Sequence, residues 1–346
     1  MTTSRLRHAF AVVLTICAAV MAGRASLAAD EAHTLKVRLE WLTSGYHAPI
    51  YLALTKGWYQ EAGLDVTTIE PGNGTNTTIQ LVNAGNYDLG EAAISNVAIA
   101  RSKGMPVKAI ATWFRKGDLA LMVPADSGIN GPKDLKGKKI IYSTASSEGP
   151  FLEPFLAKGG LTRSDVQLLN IDPNARISTF ANGQADGIFG SPVGTGVIIN
   201  DLRHTHNILF ADFGLNMPGF GLFATEDMLK KKGDALRKFA SVSAGAWTYA
   251  KGHPDEAVAA LMKARGEQDR VNPEQIKKQF LESIQFLYSP ASTNLPIGVQ
   301  TEKDWAEALA TMVAAKAIDA SAAGKPTDYF TNDYLDPATI KKIGGG

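Results

Sequence analysis

The chain has 346 residues, which is long enough to bury a large core and favours two domains. Its hydrophobic content of 45% and charged content of 20% are those of a globular protein, and its net charge of +1 argues against nucleic acid as a partner. The single cysteine, Cys17, excludes a disulfide framework and a thiolate metal site.

The N-terminal stretch has the pattern of an export signal. A basic start precedes an apolar run over residues 9–22, which is too short to span a membrane comfortably, and small residues follow at 26–28. We therefore predict a cleaved signal peptide over residues 1–28, a mature chain that begins near Ala29, and a periplasmic location. A retained membrane anchor is the alternative.

Strand and helix patterns alternate from residue 34 to about residue 210, which is typical of a parallel α/β sheet, and helical patterns follow from residue 230 onwards. The first predicted strand, residues 35–40, ends at Trp41, and a polar turn then carries Tyr46 and His47. Open α/β sheets bind ligands at the carboxyl ends of their parallel strands. These three side chains are therefore candidates for ligand contact, and the two aromatic rings are candidates for stacking on a planar ring.

Further strand ends place polar or aromatic side chains at the same edge. The candidates from the first domain are Asn76, Ser95, Asn96 and Trp113, and those from the second are Ser146, Ser147, Glu148 and Phe189. Some candidates have a simpler interpretation: Asn76 could be an ordinary helix N-cap. Trp113 is a further candidate for ring stacking, but Trp41, Tyr46 and Trp113 could each be part of the core instead.

Signatures of catalysis and of metal binding are missing from the sequence. It contains no G-x-S-x-G, H-E-x-x-H or dinucleotide G-x-G-x-x-G pattern. His204 and His206 could point the same way from a strand, but a metal site needs three or four ligands. We predict no catalytic residue, no metal and no cofactor.

One segment carries a family resemblance. Trp41, the pair Tyr46-His47 and Pro49 precede a run over residues 53–65 of the form A-x-x-K-G-W-Y-x-E-x-G-L-D. This segment resembles the thiamine-pyrimidine family of periplasmic-binding-type proteins, which includes solute receptors of ABC importers and thiamine-pyrimidine synthases. The run over 53–65 alone is typical of a wider superfamily with sulfonate, nitrate and riboflavin receptors, whereas the spacing from Trp41 to Tyr46-His47 is more specific.

The resemblance implies a two-domain α/β fold of the type II periplasmic-binding class, in which two sheets have helices on both faces and the chain crosses a hinge twice. We assign residues 29–120 and 216–346 to domain 1 and residues 121–215 to domain 2. A ligand would lie in the cleft between them. The implied partners are a small-molecule ligand and an ABC permease with its ATPase, which is the protein's only contact with the membrane. We expect a monomer.

The resemblance also implies a ligand class, a small planar heterocycle such as a thiamine pyrimidine precursor. A synthase-like enzyme, in which the histidine matching His47 is consumed as substrate, is the first rival interpretation. Synthases carry a cysteine-rich iron motif where this chain has residues 216–223 without cysteine, so we predict a protein that is not an enzyme. His47 is then a ligand contact or a structural histidine. An exported sensor domain and a receptor for a different solute, such as riboflavin, a sulfonate or nitrate, also fit the resemblance.

One departure from the family pattern concerns the ligand. In the pyrimidine-binding branch an acid follows the strand that matches residues 187–189, whereas this chain has Gly190, Ser191 and Pro192 there. Glu148 or Glu91 could substitute for it. No arginine or lysine is evident in the ligand loops, so an anionic ligand would depend on backbone N–H groups alone.

Overall fold

The structure is a computed structural model that describes residues 33–265 and 272–345. The predicted signal peptide and Ala29 lie outside the described residues. Within the described ranges, no helix has both the length and the apolar character needed to cross a membrane.

In the described part of the chain, ten strands form two sheets of five. The strands are β1 (Thr34–Arg38), β2 (Asp65–Glu70), β3 (Leu89–Ala93), β4 (Val107–Thr112), β5 (Ala120–Pro124), β6 (Lys139–Tyr142), β7 (Gln167–Asn170), β8 (Gly187–Gly190), β9 (Thr205–Leu209) and β10 (Phe220–Thr225). One sheet has the order β2-β1-β3-β10-β4, and we call its half of the molecule lobe 1. The other has the order β7-β6-β8-β5-β9 and belongs to lobe 2.

Helices surround both sheets. They are α1 (Ala48–Thr55), α2 (Trp58–Glu61), α3 (Thr75–Asn83), α4 (Ile94–Ser102), α5 (Leu152–Lys158), α6 (Arg176–Ala181), α7 (Val197–Leu202), α8 (Glu226–Lys231), α9 (Gly233–Gly252), α10 (Pro254–Arg265), α11 (Pro273–Ser283), α12 (Glu302–Ala314), α13 (Pro326–Tyr329) and α14 (Pro337–Gly344). Helices α5 to α7 follow strands of lobe 2, and the others follow strands of lobe 1. The longest helix, α9, buries Phe239 and Trp247 in the core of lobe 1.

The sheets are mixed, because each contains one strand that runs against its neighbours in the otherwise parallel pattern. In lobe 1, β10 runs antiparallel to β3 and β4, and in lobe 2, β5 runs antiparallel to β8 and β9. Both exceptions are the strands through which the chain arrives from the other lobe. Such a strand begins at the edge that faces the partner lobe, whereas the parallel strands end there.

The chain passes between the lobes through residues 113–119 and 210–219, which join β4 to β5 and β9 to β10. The two connections are hydrogen-bonded to each other: the Trp113 N–H donates to the Phe220 carbonyl at 2.9 Å, and the Gly219 N–H donates to the Phe114 carbonyl at 2.8 Å. The predicted two-sheet α/β fold with two crossings is therefore confirmed. The predicted domain limits, at residues 120/121 and 215/216, fall within or next to these connections and remain a prediction.

Candidate functional site

A pocket lies between the lobes, at the edge where the parallel strands of both sheets end. Its cavity volume is only about 30 Å³, so the lobes are almost closed upon it. Lobe 1 contributes Glu40, Trp41, Tyr46 and Phe220, and lobe 2 contributes Ser146, Ser147, Glu148, Arg176, Gly190, Ser191, Gly194 and Thr195. We call this the interlobe pocket.

The lobe 1 wall of the pocket begins directly after β1. Glu40 and Trp41 follow the end of that strand, and Tyr46 stands in a short 3₁₀ turn, Gly45–His47. The Tyr46 ring stacks on Phe220, with centroids 5.2 Å apart and planes only 4° from parallel. The Tyr46 hydroxyl donates a hydrogen bond to the Glu40 carboxylate. This wall therefore presents a fixed phenol and a fixed carboxyl group next to the indole.

The pKa values of the acidic groups on the lobe 1 side are raised. Burial raises the pKa of Glu40 well above its ordinary value, and the nearby carboxyls of Glu91 and Asp118 raise it further. Burial also raises the pKa of Asp118 to about 6, although the Ser191 hydroxyl donates to its Oδ2 at 2.6 Å. Tyr46 is affected in the same direction, since burial raises its pKa. A carboxyl whose pKa is raised in this way keeps its proton to a higher pH.

The lobe 2 wall holds a buried ion pair. Arg176 Nη1 lies 2.8 Å from Glu148 Oε1, and both side chains are at most 2% exposed. The same guanidinium donates to Ser146 Oγ at 3.1 Å and to the Phe189 carbonyl at 2.7 Å. Glu148 sits in the loop after β6, and Arg176 is the first residue of α6. The guanidinium charge is therefore balanced inside its own lobe.

The two walls meet where Arg176 faces Trp41. The guanidinium carbon lies 5.4 Å from the centroid of the indole ring, which is a cation–π contact across the lobes. A planar ring between the two groups would need about 7 Å, twice the roughly 3.5 Å contact distance of carbon atoms. The lobes are therefore close together, and a ring enters this space only if they separate slightly.

One edge of the pocket is closed by Asn76. Its Nδ2 donates to the Thr144 carbonyl at 2.9 Å and to the Ser146 carbonyl at 3.3 Å, and its Oδ1 accepts from Asn96 Nδ2 at 3.0 Å. Ser95 Oγ in turn donates to Asn96 Oδ1 at 3.4 Å. These three predicted residues do not line the interlobe pocket, but Asn76 joins the lobes beside it, and Asn96 and Ser95 extend the hydrogen-bond chain within lobe 1.

Gly74 makes this junction possible. Its φ of +142° is a conformation that residues with a Cβ rarely adopt, and a Cβ there would lie 2.4 Å from the Ala145 carbonyl oxygen. At the opposite edge, Gln279 of α11 donates from Nε2 to the Gly194 carbonyl at 2.9 Å. The closed arrangement thus has a lobe-to-lobe hydrogen bond at each end.

Three other predicted ligand residues, Trp113, Phe189 and His47, lie away from the interlobe pocket. Trp113 is fully buried in the core, where its ring packs 6.3 Å from Trp247, because the chain turns away from the pocket after β4. Phe189 points to the opposite side of its strand and packs edge-on against Phe155 and Phe210. For these two residues the expectation of ligand contact is corrected.

His47 is also fully buried and does not line the pocket. Its Nδ1 accepts the Ser44 N–H at 3.2 Å, which assigns the ring proton to Nε2. Nε2 lies 3.1 Å from Glu91 Oε2, without the angle of a good hydrogen bond. The complete burial of His47 favours a structural role for this histidine over ligand contact. Glu91, offered as a substitute acid, is likewise held beneath the pocket.

Two charged residues of the pocket escaped the sequence analysis. Glu40 directly precedes Trp41, so the strand-end rule that selected the tryptophan could have selected it too. Arg176 follows the loop after β7 and was equally available to that rule. Arg176 is a basic side chain in the interlobe pocket that the sequence analysis did not identify, and its charge is met by Glu148.

The two-lobed architecture with its interlobe pocket is that of the type II periplasmic-binding-protein class. A solved structure of this class, the alkanesulfonate-binding protein of Xanthomonas axonopodis pv. citri bound to MOPS, aligns with a TM-score of 0.64 at 19% identity, covering 83% of this chain and 94% of that one. The family model described as NMT1/THI5 like matches residues 44–257. The chain belongs to this family, as the resemblance of its N-terminal segment implied.

Two named proteins are similar in sequence to this chain. The formylaminopyrimidine-binding protein of Halalkalibacterium halodurans is 27% identical over 292 residues, which cover 82% of this chain and 86% of the relative. A 4-amino-5-hydroxymethyl-2-methylpyrimidine phosphate synthase of Schizosaccharomyces pombe is 32% identical over 154 residues, which cover 43% of this chain and 42% of the relative. The similarity to the binding protein thus extends over about twice as much of the chain.

Proposed function

We propose that the protein is an extracytoplasmic receptor for a small, planar, uncharged nitrogen heterocycle of the aminopyrimidine type. The observation that carries the proposal is the pair of flat groups, the Trp41 indole and the Arg176 guanidinium, that face each other across the interlobe pocket. The relative that covers most of this chain is named for binding a formylaminopyrimidine, which supports the same ligand class.

A ring inserted between these two groups gains stacking on both faces. The indole offers an aromatic surface, and the guanidinium is a planar cation that stacks on aromatic rings. Its position is held by hydrogen bonds to Glu148, Ser146 and the backbone of β8, so it does not need to be ordered by the ligand. A preordered surface lowers the entropic cost of binding.

The charges of the pocket disfavour an anionic ligand such as a sulfonate or nitrate. Arg176 is the one basic side chain that lines the pocket in the described structure, and it is paired with Glu148 at 2.8 Å. Glu40 lines the opposite wall, with Asp118 and Glu91 close behind it. An anion would find no free cation among the described lining residues, because Arg176 is paired with Glu148, whereas amino groups on a ring would find carboxyl oxygens as acceptors.

We extend the proposal to the route of the ligand. The receptor would close its lobes around the heterocycle in the periplasm and deliver it to an ABC permease with its ATPase. The basic, apolar and small-residue pattern of residues 1–28 supports export. N-terminal sequencing of the protein from its own periplasm is expected to begin near Ala29, and an intact Met1 there would contradict the export proposal.

The ligand class is tested by calorimetric titration with 4-amino-5-hydroxymethyl-2-methylpyrimidine, with MOPS and nitrate as anionic probes. We expect binding of the pyrimidine alone. Trp41→Ala removes one stacking surface and is expected to weaken binding by about 1–3 kcal/mol, or about 5- to 150-fold. Binding should also quench tryptophan fluorescence in the natural protein.

The control variant is Trp58→Ala. Trp58 lies on the outside of lobe 1, edge-on to Tyr249 at 5.3 Å, and its loss should leave the affinity unchanged. Equal affinity in the Trp41→Ala variant and the natural protein would exclude the indole as a ligand surface. Binding of the anions in place of the pyrimidine would overturn the proposed ligand class.

The synthase-like alternative rests on the similarity to the Schizosaccharomyces pombe enzyme. The position of His47 favours the receptor, because the ring lies beneath Tyr46, whose centroid is 4.2 Å away, and has no exposed surface. Mass spectrometry of the peptide that contains His47 discriminates the two. The histidine should stay intact after incubation with iron and a B6 phosphate, and its consumption would show an enzyme.

A further inference from the structure

Glu40 occupies an unusual position in the interlobe pocket. Its side chain lines the pocket but is only 3% exposed, and the Tyr46 hydroxyl donates to one of its oxygens. In the described part of the chain, no lysine or arginine forms an ion pair with it. The wall opposite uses Arg176 to balance Glu148, and Glu40 has no such partner.

The surroundings of Glu40 oppose a negative charge. Glu91 on β3 and Asp118 in the first crossing segment are both carboxyls that face it, and Arg176 from lobe 2 is the one cation that partly offsets them. Burial is the largest influence, and together these groups raise the pKa of Glu40 well above its ordinary value. The Tyr46 hydrogen bond acts in the opposite direction, since it stabilises the carboxylate.

We propose that Glu40 meets the ligand as a neutral carboxylic acid and selects heterocycles that carry an acceptor nitrogen next to an amino group. The oxygen that Tyr46 does not bind carries the proton and donates it to the ring nitrogen. A carboxyl oxygen accepts from the neighbouring amine. This inference rests on the proposed heterocycle receptor and names the side chain that reads the ring edge.

Binding would then be linked to protons. A neutral acid donates to the ring nitrogen, whereas a carboxylate would face the nitrogen lone pair with a negative charge. The ligand therefore binds the protonated form and raises the pKa of Glu40 further in the complex. At any pH between the two pKa values, binding takes up a proton. Affinity for the uncharged form of the heterocycle should be constant below the pKa of the empty receptor and fall by about tenfold for each pH unit above it, until the pKa of the complex is reached.

The test is a calorimetric titration with 4-amino-5-hydroxymethyl-2-methylpyrimidine from about pH 5 to about pH 10, in two buffers of different ionisation enthalpy at each pH. The natural protein should show proton uptake and loss of affinity as the pH rises. Glu40→Gln keeps a donor and an acceptor without a titrating group. It should retain binding within about threefold of the low-pH affinity, and the part of the pH dependence that Glu40 causes should vanish.

Three further variants separate this role from a structural one. Tyr46→Phe removes the hydrogen bond that lowers the pKa of Glu40, so the pH midpoint should move upwards. Asp118→Asn should leave most of the pH dependence in place. Glu307→Gln removes a carboxyl from the exposed face of α12 and should change nothing.

The outcomes test the neutral state of Glu40 separately from the proposed ligand class. Pyrimidine binding that loses about tenfold or more in Glu40→Gln at every pH would mean that a carboxylate grips a cationic ring, and would overturn the neutral acid. Binding with no proton uptake and no pH dependence would overturn it as well, while the receptor proposal would stand. No binding of the pyrimidine at any pH, by a folded natural protein, would overturn the proposed ligand class and this inference together.

Discussion

The two walls of the interlobe pocket bury acidic side chains in different ways. On the lobe 2 wall, Glu148 is neutralised by Arg176 at 2.8 Å. On the lobe 1 side, Glu40 and Asp118 are equally buried, without an ion-pair partner among the described residues, and their pKa values are raised. One wall therefore holds its acid in an ion pair, and on the other side burial shifts both acids towards the protonated form. Burial alone does not decide which happens, since all three acids are almost completely buried.

The largest expected effect comes from breaking the balanced wall. Arg176→Ala would leave Glu148 buried and unpaired, which typically costs about 3–5 kcal/mol. We expect a loss of this size in the free energy of unfolding, measured by urea titration at neutral pH. Replacing both partners with apolar residues, Arg176→Met with Glu148→Leu, should be more stable than Arg176→Ala alone, because no orphaned charge remains.

The control for this prediction is an exposed pair. Lys231 lies 2.8 Å from Asp227 on α8, and both side chains are about two-thirds exposed, so Lys231→Ala should change the stability by less than about 0.5 kcal/mol. If Arg176→Ala costs no more than this control, the lobe 2 wall does not depend on its ion pair and the contrast between the walls disappears.

An intermediate effect is expected from the lobe 1 side as the pH changes. Burial raises the pKa of Asp118 from 3.8 to about 6, so the folded protein holds a proton there that the unfolded chain releases earlier. The stabilising effect of that proton is complete below about pH 4 and is lost as the pH rises to about 6, with a total of about 3 kcal/mol.

Asp118→Asn isolates this contribution, since the amide does not titrate. Urea unfolding of both proteins across this pH range should show the natural protein losing stability relative to the variant as the pH rises. Glu40 is present in both and cancels from the difference. Parallel pH profiles would show that Asp118 is charged in the folded protein like an ordinary surface acid.

The smallest expected effect is at the edge of the pocket, where Asn76 joins the two lobes. Asn76→Ala removes the side-chain amide that donates to two carbonyls of the lobe 2 loop, and the loss should weaken pyrimidine binding by about 0.5–1.5 kcal/mol by favouring separated lobes. Solution scattering should show a larger radius for the ligand-free variant. Asn86→Ala, in an exposed turn of the same lobe, is the matched control.

Much of the fold follows from local sequence features. The first strand, the helix that contains Pro49 and the amphipathic helices beyond residue 230 have regular apolar spacing, which depends on neighbouring residues alone. The reversed strands β5 and β10 were not predicted, because their direction depends on which lobe the chain comes from. Whether a strand runs parallel or antiparallel to a strand far away in the chain has no signature in its own sequence.

The candidate site was predicted less completely. Trp41 and Trp113 both follow a strand of the same sheet, yet one lines the pocket and the other packs against Trp247. The sequence cannot distinguish them, since the difference depends on a helix more than a hundred residues away in the chain. Arg176 follows the loop after β7, so the strand-end rule could have selected it, but its contact with Trp41 depends on the closure of two lobes and leaves no local pattern.

The contact between Trp41 and Arg176 has a kinetic consequence. With 5.4 Å between the guanidinium carbon and the indole centroid, the ring site is filled by the receptor's own side chains until the lobes part. Entry of a ligand then waits for a separation that the empty protein undergoes by itself. The observed association rate is expected to rise with ligand concentration and reach a plateau set by the frequency of opening, and the apparent affinity is reduced by the fraction of time the site is closed.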